Sequence, residues 1–450
     1  MPNLLEFFKT CLGRKQTRSP QPRPDPIPRG YPLPPHTTDF SVTTVNSFAV
    51  TLFKKLVETS YCPQRNIAVS PHAVQVVLAT LLPGTSGEVY AALANLLCLN
   101  GRTPPELFGS LDAINANGAL NSVTTVFYDE NCRLVSEYQE TLEKSVVIHT
   151  RETPVYLDKD QDYRWSAVEP HYTHYKSLQC EFVPVPFRDD FEKAVDILQK
   201  SDFGRSGNKF HHWLDERRTD ATLVLLNRVE FSGQWEEPFY PGKSRDDTFY
   251  CADGKEKSVV FMEQTFNPSR CYNVQPDTTR ALHAEDPQMV ILDVLGRQFS
   301  VMIVLPGENN GGMQALEKTL TIENLLQWRQ KSRTCNNLYI VLPRFRIRCG
   351  VDLKVCTQSM GLQELYAASS TGFSPMVSSD GPVKVDEFKQ EVTIEVDEYG
   401  IKTAPCYGEL NEINLLSYPN FVANRPFLVV IWNELANVPV FIGRITDPTA

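Results

Sequence analysis

Apolar positions along the chain change period several times, and each change marks an element. Val45, Phe48, Ala49, Leu52, Phe53 and Leu56 recur at intervals of three and four, which lays one stripe along a helix, with Thr43 or Thr44 placed to cap it. A second helix starts at Ser70-Pro71, because the hydroxyl accepts an orphan amide and proline fits the first helical position. That helix buries Val74, Val77, Leu78 and Leu81 and stops at Pro83-Gly84. Short apolar runs predict strands at 123–128, 223–231, 290–295, 301–305 and 338–342. Near the end of the chain Val392, Ile394 and Val396 alternate with Thr393, Glu395 and Asp397, the period of a half-buried strand. Twenty-odd aperiodic residues follow, then two apolar runs, 426–432 and 438–445, joined by Asn433-Glu434-Leu435-Ala436-Asn437 as a hairpin in a core. A long aperiodic loop bracketed by buried strands is either functional or disordered. Strand runs mixed with helical runs, without regular βαβ repetition, predict an α+β fold.

Composition narrows the class. The 450 residues are 42% hydrophobic and 22% charged, which is globular, and 44 basic against 54 acidic residues give a net charge of −10 with no nucleic-acid footprint. No apolar run reaches the roughly 20 residues that span a bilayer. Residues 1–12 have an apolar face, but Glu6 and Lys9 interrupt what a secretion signal would need to keep apolar. Eight of the 32 prolines lie between 20 and 35, so residues 1–39 form an extended, disordered arm. Pro32-Leu33-Pro34-Pro35 in it serves as a spacer or as a ligand for an aromatic groove.

Eleven cysteines stand singly along the chain, with no CxxC pair and no zinc spacing, and read as reduced thiols. Asn267-Pro268-Ser269 is spoiled as a glycosylation acceptor by its proline. Both features point to the cytoplasm. His211 and His212 are adjacent and would point to different helix faces, and His171 and His174 have no carboxylate or Cys at fixed spacing, so no metal or cofactor is expected. There is no GxSxG, GxxxxGK[ST] or HExxH, and Gly204-Arg205-Ser206-Gly207 reads as a turn, so the chain is not read as an enzyme.

Several ordered segments carry a resemblance. They are Asn66-Ile67-Ala68-Val69-Ser70-Pro71-His72 with Leu81-Leu82-Pro83-Gly84-Thr85; residues 223–239, ending Phe231-Ser232-Gly233-Gln234-Trp235-Glu236-Glu237-Pro238-Phe239; and 299–306. Leu342-Pro343-Arg344-Phe345, Met360-Gly361-Leu362, Asn424-Arg425-Pro426-Phe427 and Phe441-Ile442-Gly443-Arg444 follow in order. Over residues 40–450 the chain resembles the serpins. The resemblance implies one domain with a large mixed, mostly antiparallel sheet, further sheets and about eight or nine helices. It also implies a monomer, a protein or protease partner, and an exposed reactive-centre loop at 399–423. Residues 145–175 form an insertion relative to that family. Its Tyr156, Tyr163, Trp165, Tyr172 and Tyr175 are either a partner surface or a loop packed on its own aromatics.

In inhibitory serpins the cleaved loop inserts as a new central strand, and its hinge therefore carries a Gly, a Thr and a run of small residues. Here the hinge comprises Glu398, Gly400, Ile401, Lys402, Thr403, Ala404 and Pro405. Ile401 stands where the family has Thr, and Pro405 breaks the small run and removes a ladder donor. Insertion would turn Ile401, Thr403, Pro405 and Tyr407 inward. The resemblance also pairs Arg344 with Glu398 at the top of the sheet, puts Gln390 where many serpins bury a histidine, and shortens the connection 214–223. Counting back from Asn424 places the scissile bond at Asn414-Leu415 or Leu415-Leu416, suited to an asparagine-directed or chymotrypsin-like protease. The expectation is a non-inhibitory serpin that binds a protein or ligand, the alternative a suicide inhibitor cleaved near Asn414-Leu415.

Overall fold

The structure is a computed structural model that describes residues 40–59, 64–115, 119–150, 178–201, 221–274, 286–307, 312–367, 372–401 and 419–449. Helix α1 (Phe40–Thr59) carries the predicted stripe: Phe48, Ala49, Leu52, Phe53 and Leu56 are buried. Thr43 and Thr44 lie inside it and do not cap it, because the helix begins upstream of its first packed residue. Strand β1 (Ile67–Val69) leads into α2 (Pro71–Leu81), whose start is the one read from Ser70-Pro71: the Ser70 hydroxyl accepts from Ala73 N. Every residue of α2 is buried, and a 3-10 turn at Leu82–Gly84 ends it. Burial pushes the His72 imidazole down to about 4, so it stays neutral inside the protein.

Apart from a short two-stranded pair, Arg133–Leu134 with Val377–Ser378, the strands then follow in order. They are β2 (Leu120–Asp129), β3 (Val147–Thr150), β4 (Gln179–Val185), β5 (Leu223–Phe231), β6 (Gly233–Gln234), β7 (Arg245–Tyr250), β8 (Glu256–Phe266), β9 (Ser269–Tyr272), β10 (Gln288–Asp293) and β11 (Phe299–Leu305). After these come β12 (Arg333–Cys335), β13 (Leu338–Pro343), β14 (Phe345–Asp352), β15 (Val385–Val396), β16 (Gly400–Ile401), β17 (Asn420–Val422), β18 (Phe427–Asn433) and β19 (Val438–Ile445). One sheet runs β1-β19-β18-β11-β10-β9-β12 and a second β17-β13-β8-β7. The largest runs β3-β4-β2-β5-β15-β16-β6, with β14 on the other side of β15. Four of its pairings are antiparallel and three parallel, and together with the helices this is the mixed α+β fold read from the sequence.

Two large apolar clusters hold the layers together. One joins α1 and α2 to the sheets, and the other fills the space between the sheets and includes Phe231, Phe299, Phe345, Phe427 and Phe441. Three readings need correction. Strand β15 is longer than its alternating stretch and is buried on both faces, since Glu391 and Thr393 on its polar side are covered as well. The loop is shorter than 399–423, because Gly400–Ile401 and Asn420–Val422 are strands. The cysteines are not all reduced: Cys271 on β9 and Cys335 on β12 form a disulfide, brought together by antiparallel pairing that spacing alone does not reveal.

Candidate functional site

The loop leaves the large sheet at the end of β15, and its root is fixed by the backbone more than by side-chain bulk. Asp397 closes the turn: its Oδ1 accepts from Tyr399 N at 2.8 Å and Gly400 N at 3.1 Å, and its own amide donates to Gly400 O at 3.0 Å. The chain then doubles back, so Ile401 pairs with Val396 on one side while Gly400 and Ile401 pair with Gln234 and Gly233 on the other. A side chain at Gly400 would place Cβ 2.2 Å from Gly233 O, closer than any atom tolerates, and only glycine permits this approach. Ile401 is fully buried in the cluster between the sheets.

Further bonds tether the turn. Trp235 donates its amide to Tyr399 O and its indole N–H to Asp397 O, both at 2.9 Å, and Phe239 N donates to Glu398 O at 2.8 Å. Glu398 is 2% exposed and accepts from Ser244 Oγ at 2.6 Å and from the Arg344 guanidinium, which is about half exposed. Burial pushes the Glu398 carboxyl upward, but the bonds from Ser244 and Arg344 outweigh it and hold the group below the usual range. Burial raises Asp397 instead. Arg344, Arg346, Glu395, Asp397, Glu398 and Tyr399 line a cleft of about 520 Å³ over this root.

Below the root lies the seam into which a loop strand would have to pass. Strands β5 and β15 are directly paired there, parallel, from Val385↔Leu223 to Thr393↔Glu230, with a shift of register between Val385 and Glu387 and an unbroken register from Glu387↔Val224 onward. At its centre Gln390 is fully buried, accepting from Ser70 N at 2.8 Å and donating to Ser70 O at 3.2 Å and Asn227 Oδ1 at 2.9 Å. The Asn227 amide continues to Ser122 Oγ and Thr124 Oγ1 on β2. Ser70 Oγ in turn donates to Val440 O, so one neutral network ties three strands to the start of α2 and to the hairpin.

Of the residues singled out beforehand, Arg344, Gln390, Glu398, Gly400 and Ile401 meet in this region. Lys402, Thr403, Ala404, Pro405, Asn414, Leu415 and Leu416 lie outside the described residues, as do the arm 1–39, the Tyr-rich stretch 151–175 and the connection 214–220. Trp235 and Gly233 stood in a quoted motif but were given no role. Asn227 stood in that motif and Asp397 in the alternating strand, likewise without a role, and Ser244 was missed, since an isolated polar residue carries no periodic signal.

The family model described as Serpin (serine protease inhibitor) matches residues 43–162 and 170–448. Among curated proteins the chain is 26% identical to Serpin B10 of Papio anubis over 428 residues, covering 91% of this chain and all of that one. It is 25% identical to the corticosteroid-binding globulin of Oryctolagus cuniculus, covering 97% of this chain and 98% of that one. The solved structure of human thyroxine-binding globulin aligns with a TM-score of 0.69 at 18% identity, over 91% of this chain and 99% of that one, which is a likeness of fold.

Proposed function

The chain belongs to the serpin family, and on that footing we propose that it is a non-inhibitory member, acting by binding a protein or small ligand on a scaffold whose sheet stays closed. The observation that carries this reading is the register at the loop root. Continuing the Val396↔Ile401 pairing sets Thr403 opposite Ile394, Pro405 opposite Val392, Tyr407 opposite Gln390 and Glu409 opposite Phe388. All four partners on β15 are fully buried. Insertion would therefore drive a proline without an N–H, a tyrosine and a carboxylate into the packed face of a central strand, each against a physical penalty. The tyrosine would also displace the side chain that links Ser70 to Asn227.

One observation favours the alternative, a suicide inhibitor of a serine or cysteine protease. Ile401 already pairs on both sides, with Val396 and Gly233, and Gly400 on one, with Gln234, as the start of an inserted strand would. Incubation with a chymotrypsin-like and an asparagine-directed protease separates the two. The expected result is cleavage near Asn414-Leu415, no detergent-stable complex and no rise in melting temperature. A stable complex, or a marked rise after cleavage, overturns the non-inhibitory reading.

A further inference from the structure

The seam has two faces, and the one turned away from α2 carries a charge cluster that the family resemblance does not supply. Glu391 is the residue next to Gln390 on β15, so it points to the opposite face, and it is 1% exposed. It sits between two arginines from the flanking strands. Arg348 of β14 reaches its Oε1 at 2.9 Å, and Arg228 of β5 approaches the same oxygen at 3.8 Å through Nε, which makes no hydrogen bond among the described residues. Arg228 also holds Glu230 of its own strand at 2.7 Å. The register sets Glu391 directly opposite Arg228, just as Gln390 stands opposite Asn227.

The two arginine contacts differ in one respect. Arg348–Glu391 joins β14 to β15, which stay neighbours whatever happens to the loop. Arg228–Glu391 crosses the seam. A strand entering there would move β5 and β15 from about 4.8 Å to about 9.6 Å apart, breaking Arg228–Glu391 on one face and Asn227–Gln390 on the other in the same step. The residue arriving opposite Glu391 in the observed register is Cys406, whose side chain cannot replace a guanidinium. Glu391 would keep Arg348 but lose the second of its two positive neighbours. Because its carboxylate is buried, that loss costs more than loss of a fully exposed pair, though less than stranding the charge altogether.

We infer that Arg228 and Glu391 form an ionic lock across the β5–β15 seam, which sets how readily the sheet admits a strand. The inference rests on the closed-sheet reading above. It is tested on the full chain with two fluorescein-labelled, N-acetylated peptides of equal length: residues 400–413 of this chain, and an alternating Thr-Ala sequence without bulky side chains. Incorporation is followed on native gels. Arg228→Gln takes up the Thr-Ala peptide roughly tenfold faster than the unaltered protein, a figure reduced for the partial exposure of Arg228. Arg348→Gln, which strips an equally exposed arginine from the same carboxylate without touching the seam, and Glu230→Gln both stay within about twofold of it.

Equal acceleration by Arg228→Gln and Arg348→Gln reduces the effect to general loosening and overturns the lock. No acceleration by Arg228→Gln overturns it as well. If Arg228→Gln does not fold, Arg228→Met keeps the aliphatic stem and gives the same comparison. A rise in melting temperature after loop cleavage of the unaltered protein would sink the non-inhibitory reading alone, leaving the ratio between the two arginine variants to decide the lock.

Discussion

The β5–β15 seam and the β18–β19 hairpin flank the same loop, yet they are held by different physics. Strand β18 buries Phe427, Leu428, Val429, Val430, Ile431 and Trp432 without exposing one of them, and β19 answers with Val440, Phe441, Ile442 and Ile445. In β15, six of twelve residues are polar and still buried: Asp386, Glu387, Lys389, Gln390, Glu391 and Thr393. Apolar contacts are additive and tolerant of small shifts, which suits a hairpin that only has to stay folded. Polar contacts in a low-dielectric interior are directional, and each is costly when left unmade. They fix one register and resist partial opening, which suits the strand that leads into the loop root.

Breaking the apolar side gives the largest effect. Trp432 is fully buried, with the Arg329 guanidinium 4.5 Å above its ring, so Trp432→Ala should lower unfolding free energy by about 3–5 kcal/mol in a denaturant titration. A loss under 1 kcal/mol would erase the contrast between the regions. On the polar side, Gln390→Leu keeps the bulk but strands Ser70 N and Asn227 Oδ1, for a loss of about 1–3 kcal/mol. The same variant should speed amide exchange in β5 and β15 and leave β18 unchanged. If exchange rises equally in all three strands, the seam is not a separate unit.

The smallest effect belongs to Arg344→Gln. Arg344 is about half exposed, so solvent screening limits the loss to about 1 kcal/mol or less at neutral pH. Its sign with pH is fixed, because the Glu398 carboxyl is held below its unfolded value. The stabilisation is complete above the ordinary glutamate range and disappears as pH falls through the lower folded value, so the melting curves of the two proteins should converge in acid. A gap that widens on acidification would contradict the share of that depression assigned to Arg344 beside Ser244.

Legibility followed the range of the interaction. Ser70-Pro71 announced α2 because a cap is a local event, and 223–231 was read to the residue because it opens on Leu223-Val224-Leu225-Leu226 and closes on Phe231, apolar residues at both ends. The start of α1 was misplaced because periodicity detects a packed stripe, and the helix extends beyond its stripe to Phe40. Burial of Glu391 escaped the pattern because its charge is met by Arg228 and Arg348, 163 and 43 positions away. Strand β16 was unreadable: two residues have no period, and they are held by Gly233, Gln234 and Trp235 from a distant segment.

The Cys271–Cys335 bond has a consequence under mechanical load. It closes a stretch with a sequence separation of 64 that contains β10 and β11, two inner strands of the seven-stranded sheet. Pulled from its two ends, the molecule can pay out only the chain outside that ring. On the order of 200 Å of contour length stays hidden until a reductant opens it. In a single-molecule stretching record, the missing extension would appear on adding a thiol, and the unpeeling of this sheet would divide into two separable events.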